Sequence, residues 1–328
     1  MPFLATTFWG EQDLIRGHAY YFPIFLVPEG KNVKKGQEHQ LELQATSLEQ
    51  KPTTNLSADV RAYLAKLGIK NVETNVQRAS VIWMHALAIG YSPAYLKENA
   101  DGIRQDWPRI PLPKSAEMLE RSAALGRKIA SLLDTENDVR GVTSGTVTPE
   151  MKHIAVIESV ERKQLRERSE DLALTAGWGH AGKDGVTMPG KGKIVRREYT
   201  KLELAAIQSG AKVRGLTLKK ALEHLGESTC DVYLNDVAFW GNIPEKVWEY
   251  TIGGYQVIKK WLSYRERGLL GRPLTSDEAR EVMNMARRIT GIILMQPALD
   301  ANYRKVKAAA YEWGEAESSA KTPKKGNR

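Results

Sequence analysis

The sequence predicts an α+β protein: a helical unit, then a mixed α/β region, closed by C-terminal helices. Three observations lead there. Between residues 55 and 134 apolar residues recur at spacings of three and four, bounded by serine caps and by glycine or proline stops. From 150 to 240 short β-prone runs alternate with short helical ones. Beyond 241 the helical spacing returns and runs up to a polar, lysine-bearing end. The expected segments are 1–54 mixed, 55–140 helical, 141–240 α/β, 241–314 helical and 315–328 a disordered tail.

In chain order, Tyr20–Val27 is aromatic and apolar and predicts a buried strand interrupted by Pro23. Gly30–Gln50 is polar, a loop with at most one strand around His39–Leu43. Ser57 is placed to cap a helix over Ala58–Leu67, and Gly68 to stop it. Val76, Ser80, Trp83, Met84, Leu87 and Ala88 predict a helix from about Glu73 to Ile89. Gly90–Pro93 breaks it, and Pro93 opens the next helix, through Asn99. His85 has no ligand-type residue three or four positions away, so it is a structural histidine and not a metal ligand. Pro108, Pro111 and Pro113 impose an extended connector, and Ser115 caps Ala116–Leu133.

A Thr/Gly-rich loop at 141–148 opens the α/β region. Ile154–Ile157 predicts a strand, and Ser159–Asp171, dense in both charge signs, an exposed helix. Gly185–Tyr199 predicts a β-hairpin turning at Pro189–Gly192, with basic residues at its tip and outer edge. Leu202–Gln208 and Leu218–Leu225 are short helices, and Val232–Leu234 is a strand. Pro244 opens a helix reaching Tyr250, and Gly253-Gly254 ends it. In the helix that follows, Tyr255, Ile258 and Leu262 share one side with Trp261 beside them, while Gln256, Lys260, Ser263 and Arg267 share the other. That polar side is either a solvated face or a surface that meets an anion. Thr275 caps Asp277–Met295, and Asp300–Trp313 is a final helix.

The chain has 328 residues, of which 42% are hydrophobic and 27% charged, an ordinary globular balance. Its single cysteine, Cys230, excludes an internal disulfide and a thiolate-rich metal site. No apolar run reaches the length of about eighteen residues that a membrane helix needs, and no secretory signal pattern opens the chain, so a cytoplasmic protein is expected. Net charge is +9, and residues 183–220 hold ten basic residues against three acidic ones, a net +7. Such clustering is the footprint of a phosphate-contacting surface or of a solvated face. On the first reading Lys191, Lys193, Arg196, Arg197, Lys212, Arg214, Lys219 and Lys220 contact phosphates, with Lys260 a further cation.

The letters of Gly177–Gly182 fit the dinucleotide-binding fingerprint, but a charged segment precedes them and no helix follows, so the context fails. Trp178 and His180 in that loop either contact bases or pack. The glycine-rich cofactor turn and the Asn/Asp-Pro-Pro-aromatic motif of adenine methyltransferases are both missing, as is a phosphate loop. Asp231 and Asp236 are better explained as strand-end caps than as a nuclease centre.

Several long runs resemble a known family. They are Asp-Val-Tyr-Leu-Asn-Asp-Val-Ala-Phe-Trp at 231–240, the Val247–Glu266 run through Thr-Ile-Gly-Gly-Tyr, Leu-Gly-Arg-Pro-Leu-Thr at 270–275 and Pro-Ala-Leu-Asp-Ala-Asn-Tyr at 297–303. Upstream stand His-Ala-Leu-Ala-Ile-Gly-Tyr-Ser-Pro-Ala-Tyr-Leu at 85–96, Asp-Trp-Pro-Arg-Ile-Pro-Leu-Pro at 106–113 and Ser-Ala-Ala-Leu-Gly-Arg at 122–127. Together they resemble the C-terminal specificity domain of Type ISP restriction–modification enzymes over most of 75–310. The resemblance implies a target-recognition module for double-stranded DNA that follows an adenine N6-methyltransferase domain. It implies partnership with methyltransferase and helicase/nuclease domains. It carries no catalytic residue onto this chain, and it assigns S-adenosylmethionine to the associated methyltransferase, with no cofactor here. Two other classes remain: a stand-alone DNA enzyme, against which the missing motifs count, and a helical subunit-interaction protein that never touches DNA.

Overall fold

The computed structural model describes residues 22–26, 51–161, 164–165 and 170–313. These fall into two compact units, one of the described residues up to Lys128 together with those from Leu299 onward, the other running from Ile129 to Ala298. The first is helical and the second mixes helices with antiparallel sheet, so the chain is α+β as the sequence predicts. The segment 241–314 does not stand apart. Its residues to Ala298 belong with the α/β unit and the remainder with the helical one.

In the helical unit, β1 (Phe25–Leu26) pairs antiparallel with β2 (Thr53–Thr54). The buried strand expected over Tyr20–Val27 shrinks to Phe25–Leu26: residues 22–24 are not strand, and Phe22 and Leu26 are exposed. Tyr20, Tyr21 and Val27, the loop at Gly30–Gln50 and the tail from Glu315 lie outside the described residues. Helix α1 (Ala58–Lys66) starts where Ser57 accepts the Val60 N–H. The single helix expected over 73–89 is two, α2 (Val76–Ala79) and α3 (Val81–Gly90). Ser80 between them donates its hydroxyl to the Gln77 carbonyl, a local bond that competes with helix continuation. Helices α4 (Pro93–Glu98), α5 (Ala100–Gln105) and α6 (Ala116–Leu133) follow. Tyr63, Leu64, Val81 and Leu119 form one buried cluster, and Ile89, Tyr95, Tyr303 and Val306 another. Helix α6 passes α3 so closely that a methyl group on Gly126 would stand 1.7 Å from the Met84 carbonyl oxygen.

His85 is fully buried inside this unit. Its Nε2 donates to the Pro111 carbonyl at 2.9 Å, which leaves Nδ1 to accept the Ser122 hydroxyl at 2.8 Å. Ser122 in turn accepts an amide hydrogen of Asn302 at 2.9 Å. Burial disfavours the imidazolium and lowers the pKa to about 4, against a smaller raising contribution from Pro111.

The α/β unit contains β3 (Val156–Ser159), β4 (Gly179–Ala181), β5 (Thr187–Pro189), β6 (Ile194–Glu198), α7 (Lys201–Val213) and α8 (Leu218–Leu225). There follow β7 (Ser228–Tyr233), β8 (Ala238–Pro244), α9 (Glu245–Trp248), β9 (Thr251–Ile252), β10 (Tyr255–Gln256), α10 (Val257–Ser263) and α11 (Arg267–Leu270). Last comes α12 (Ser276–Ala308), which starts in this unit and ends in the helical one. The main sheet runs β3-β8-β7-β6, all neighbours antiparallel. Val232 stands opposite Trp240 on the buried side, where the indole N–H donates to the Ala279 carbonyl of α12 at 3.0 Å. Tyr233 stands opposite Phe239 on the other side, their rings stacked at 5.3 Å. From roughly three turns into α12, Arg288 donates to the carbonyls of Ser131, Asp134 and Asn137 at 3.0, 2.6 and 2.6 Å and closes the C-terminal end of α6.

Four expectations are corrected. The hairpin over Gly185–Tyr199 does not form: Thr187–Pro189 pairs with Gly179–Ala181, and Ile194–Glu198 with Ser228–Tyr233. The glycines meant for its turn instead pair with the Trp178 strand, Gly190 N–H with the Trp178 carbonyl at 2.6 Å and Gly192 N–H with Gly177 at 2.9 Å. Gly192 has φ +70° and lies flat on the indole, where a methyl group would be 2.2 Å from ring carbons. The charged helix over 159–171 is absent from the described residues there, which hold the end of β3, a turn and a single 3-10 turn at Glu170–Leu172. The two terminal helices are one 33-residue helix that contains Pro297. The proline forfeits one backbone hydrogen bond without ending the helix. The polar helix face does not exist as drawn, because α10 ends at Ser263. Ser263 is buried, Gln256 donates to the Trp248 carbonyl, and Arg267 pairs with Glu170. Among the described residues no helix is long and apolar enough to cross a membrane.

Substituting Gly126→Ala should lower the unfolding free energy by about 2 kcal/mol or more, read from urea midpoints, because a backbone carbonyl must move. For His85 the sign is set by the lowered pKa: between about 6.5, the unfolded value, and about 4, the unfolded chain binds more protons. Stability should therefore fall as pH drops through that window, and His85→Gln should flatten the pH dependence between pH 6.5 and 5 while lowering stability at pH 7. Denaturant midpoints at pH 7, 6 and 5 check both.

Candidate nucleic-acid interface

The basic segment 183–220 maps onto β5, β6, α7 and α8 of the α/β unit. Its positive charges differ sharply in what they face. Arg197, on β6, is an internal clamp. Its Nε donates to the Asp231 carboxylate at 2.8 Å and its two terminal nitrogens to the Glu203 carboxylate at 2.8 Å each. Glu203 also accepts the Thr200 N–H at 2.7 Å, while the Thr200 hydroxyl accepts the Glu203 N–H, the reciprocal cap that starts α7. The Glu203 bonds push the Arg197 guanidinium pKa up. Burial raises the Glu203 pKa, but Arg197 and Thr200 outweigh it and hold the carboxylate below its usual value. The other Asp231 oxygen accepts the N–H of Asn242, a residue at φ +56° whose amide donates to the His153 carbonyl. Asp231 is thus mid-strand wiring and not a strand-end cap.

The neighbouring cations are also engaged. Arg196 pairs with Glu245 and, at 3.1 Å, with Glu249. Arg214 pairs with Glu150, which is buried, and donates to the Gly210 carbonyl. Lys220 pairs with Glu223 at 2.7 Å. Lys193 pairs with Asp236 at 2.8 Å and lies 4.5 Å over the Tyr233 ring. Lys260 sits between two exposed rings, 4.7 Å from Tyr255 and 4.6 Å from Tyr264. Lys191, Lys212 and Lys219 are exposed and have no ion-pair partner among the described residues.

Of its two expected roles, Trp178 takes packing. The ring is fully buried, its N–H donates to the Tyr233 carbonyl at 2.8 Å, and it meets Trp248 edge-on at 5.4 Å. A base contact through Trp178 is therefore withdrawn. His180, two residues on, is exposed. The sequence spacing predicts α7 only over 202–208, but the helix spans 13 residues, Lys201–Val213. Its full length puts Lys201, Gln208 and Lys212 on one element. The signal for the early start was present as Thr200 followed by Glu203 three positions later.

The family model of the Type ISP C-terminal specificity domain matches residues 1–289. The chain belongs to that family. Two solved structures resemble this specificity domain. One is a DrdV–DNA complex determined by cryo-electron microscopy, 16% identical, covering 77% of this chain and 20% of that one, with a TM-score of 0.38. The other is a nuclease-deletion mutant of the Type ISP restriction-modification enzyme LlaGI with a DNA substrate mimic, 15% identical, covering 77% of this chain and 17% of that one, with a TM-score of 0.35. The specificity domain thus spans a fifth or less of the solved chains it resembles. No curated protein sequence matches it.

Removing Arg197 strands two largely buried carboxylates. Arg197→Ala should lower the unfolding free energy by about 2–3 kcal/mol, discounted from a fully buried pair because the guanidinium is partly wet. Lys219→Ala should stay within about 0.5 kcal/mol of the parent. Urea titrations of the two variants against the parent check the contrast.

Proposed function

We propose that this chain is the double-stranded DNA target-recognition module of a Type ISP-like restriction–modification enzyme, with no catalysis of its own. The observation that carries the proposal is the family match over 1–289, joined to a net +7 segment whose exposed lysines Lys191, Lys212 and Lys219 make no ion pair among the described residues. Unopposed surface cations gain by displacing counterions from a phosphate backbone, whereas paired ones have spent that attraction internally. Adenine N6-methylation and cleavage belong, in this reading, to methyltransferase and helicase/nuclease domains joined to or assembled with this module, and S-adenosylmethionine binds there. The setting is the bacterial cytoplasm.

The purified chain, titrated with duplex DNA across a salt series, should bind with a logarithmic slope of about 0.9 per phosphate contacted. Incubated with methyl donor and plasmid, it should leave DNA unmethylated and uncut. Binding that ignores salt, or reproducible adenine methylation by the chain alone, would overturn the proposal.

A further inference from the structure

Helix α7 turns one face into the α/β unit and leaves the other to solvent. Glu203, Ala206, Ile207, Gly210 and Ala211 are buried. Lys201, Leu202, Ala205, Gln208, Ser209, Lys212 and Val213 are exposed. At 100° per residue the exposed seven cover an arc of roughly 140°, one continuous stripe along the helix. Glu203 is the only carboxylate of α7, and it is turned inward onto Arg197. The wet stripe is therefore cationic at both ends and free of negative charge, with Lys201 and Lys212 lacking ion-pair partners among the described residues. Leu202, 64% exposed, sits on the same stripe, an arrangement without reward in water.

We infer that α7 is the element that enters the major groove, with Gln208 reading a base edge and Lys201 and Lys212 holding the phosphates on either rim. This inference rests on the DNA-recognition reading above. The dimensions fit. Lys201 and Lys212 are separated by roughly 16 Å of helix rise, somewhat more than the groove width of about 12 Å, so each ammonium group reaches a rim while the centre sits among bases. Ala205 and Ser209 keep the middle of the stripe low enough for close backbone approach. A glutamine amide offers one donor and one acceptor side by side, the pattern that adenine presents in the major groove, and Leu202 offers apolar surface to a thymine methyl group.

The helix-turn-helix shape of α7 and α8 invites the opposite assignment, with the second helix reading. A four-residue turn, Arg214–Thr217, with Gly215 at φ +70°, joins the two. The contacts favour the first helix. On α8 Lys220 is paired with Glu223, and Lys246 of the neighbouring α9 donates to the Glu223 carbonyl, so that side is occupied. Lys219 remains for a flanking phosphate.

The test is selection of bound sequences from a randomised duplex pool by the full chain, by Gln208→Ala and by Lys201→Ala/Lys212→Ala, with salt titrations of each. These side chains are exposed, so circular dichroism should show unchanged folding. The parent should select a preferred site. Gln208→Ala should relax one position of it and bind the parent's site about tenfold to a hundredfold more weakly. The double lysine variant should weaken on every sequence and lose about two units of salt slope. A parent that binds duplex while Gln208→Ala keeps the same preference and the lysine variant keeps the same slope overturns the placement of α7 and leaves DNA recognition standing. Binding by the parent without sequence preference overturns base reading by Gln208. A parent that fails to bind duplex at all overturns DNA recognition itself, and the stripe then faces a protein.

Discussion

The clamp made by Arg197 sets the geometry of the α/β unit. One guanidinium on β6 reaches across the sheet to Asp231 on β7 and down to Glu203 in the first turn of α7. The fork geometry of arginine lets it satisfy both carboxylates at once, and neither carboxylate has another cation to turn to among the described residues. Seven residues along α7 from Glu203, Gly210 lies so close to the buried Glu150 carboxylate that a methyl group there would be 1.8 Å from it. The helix is held at two points roughly 10 Å apart along its axis. With its rotation fixed in this way, the stripe it shows to solvent is fixed too.

The same clamp explains why a run of basic residues is a poor map of an interface. Sequence charge places ten cations within 183–220, but apart from Glu203 and Glu223 their partners come from far along the chain: Glu150, Asp231, Asp236, Glu245 and Glu249. No local count reveals those pairings, because folding brings the carboxylates in from other strands and helices. Trp178 illustrates the reverse error. A tryptophan in a Gly-Trp-Gly setting is open to either role in sequence, yet Gly177 is there for its φ of +79°, Gly179 because it packs on the Ser263 carbonyl, and it is the distant Gly192 that covers the indole. Lys201 and Gln208 were hidden for a different reason: the apolar spacing marks the buried side of α7, and helix length sets what the wet side carries.

Helix starts were largely legible, since the caps are local chemistry. Ser57, Ser115 and Thr275 each accept the backbone N–H expected of them. Strand pairing was not, because β6 finds its partner β7 some thirty residues away and not across the nearest turn. The family was legible from its motif runs, and the structure shows what several of those residues do. In the run at 231–240, Asp231 joins the clamp, and Asn235 holds the β7–β8 turn by accepting the Val237 and Ala238 N–H groups. Trp240 ties the sheet to α12. The motif is a folding device, and the residues proposed to meet DNA lie outside it.

The most direct measurement of where DNA sits is lysine reactivity. The full chain, acetylated briefly with and without duplex DNA and read by mass spectrometry, reports each lysine separately. Lys201, Lys212 and Lys219 should lose reactivity when DNA is present, while Lys97 and Lys305, exposed in the helical unit, keep theirs. Protection confined to the helical unit, with the three lysines of α7 and α8 unchanged in a chain that binds DNA, would contradict the account.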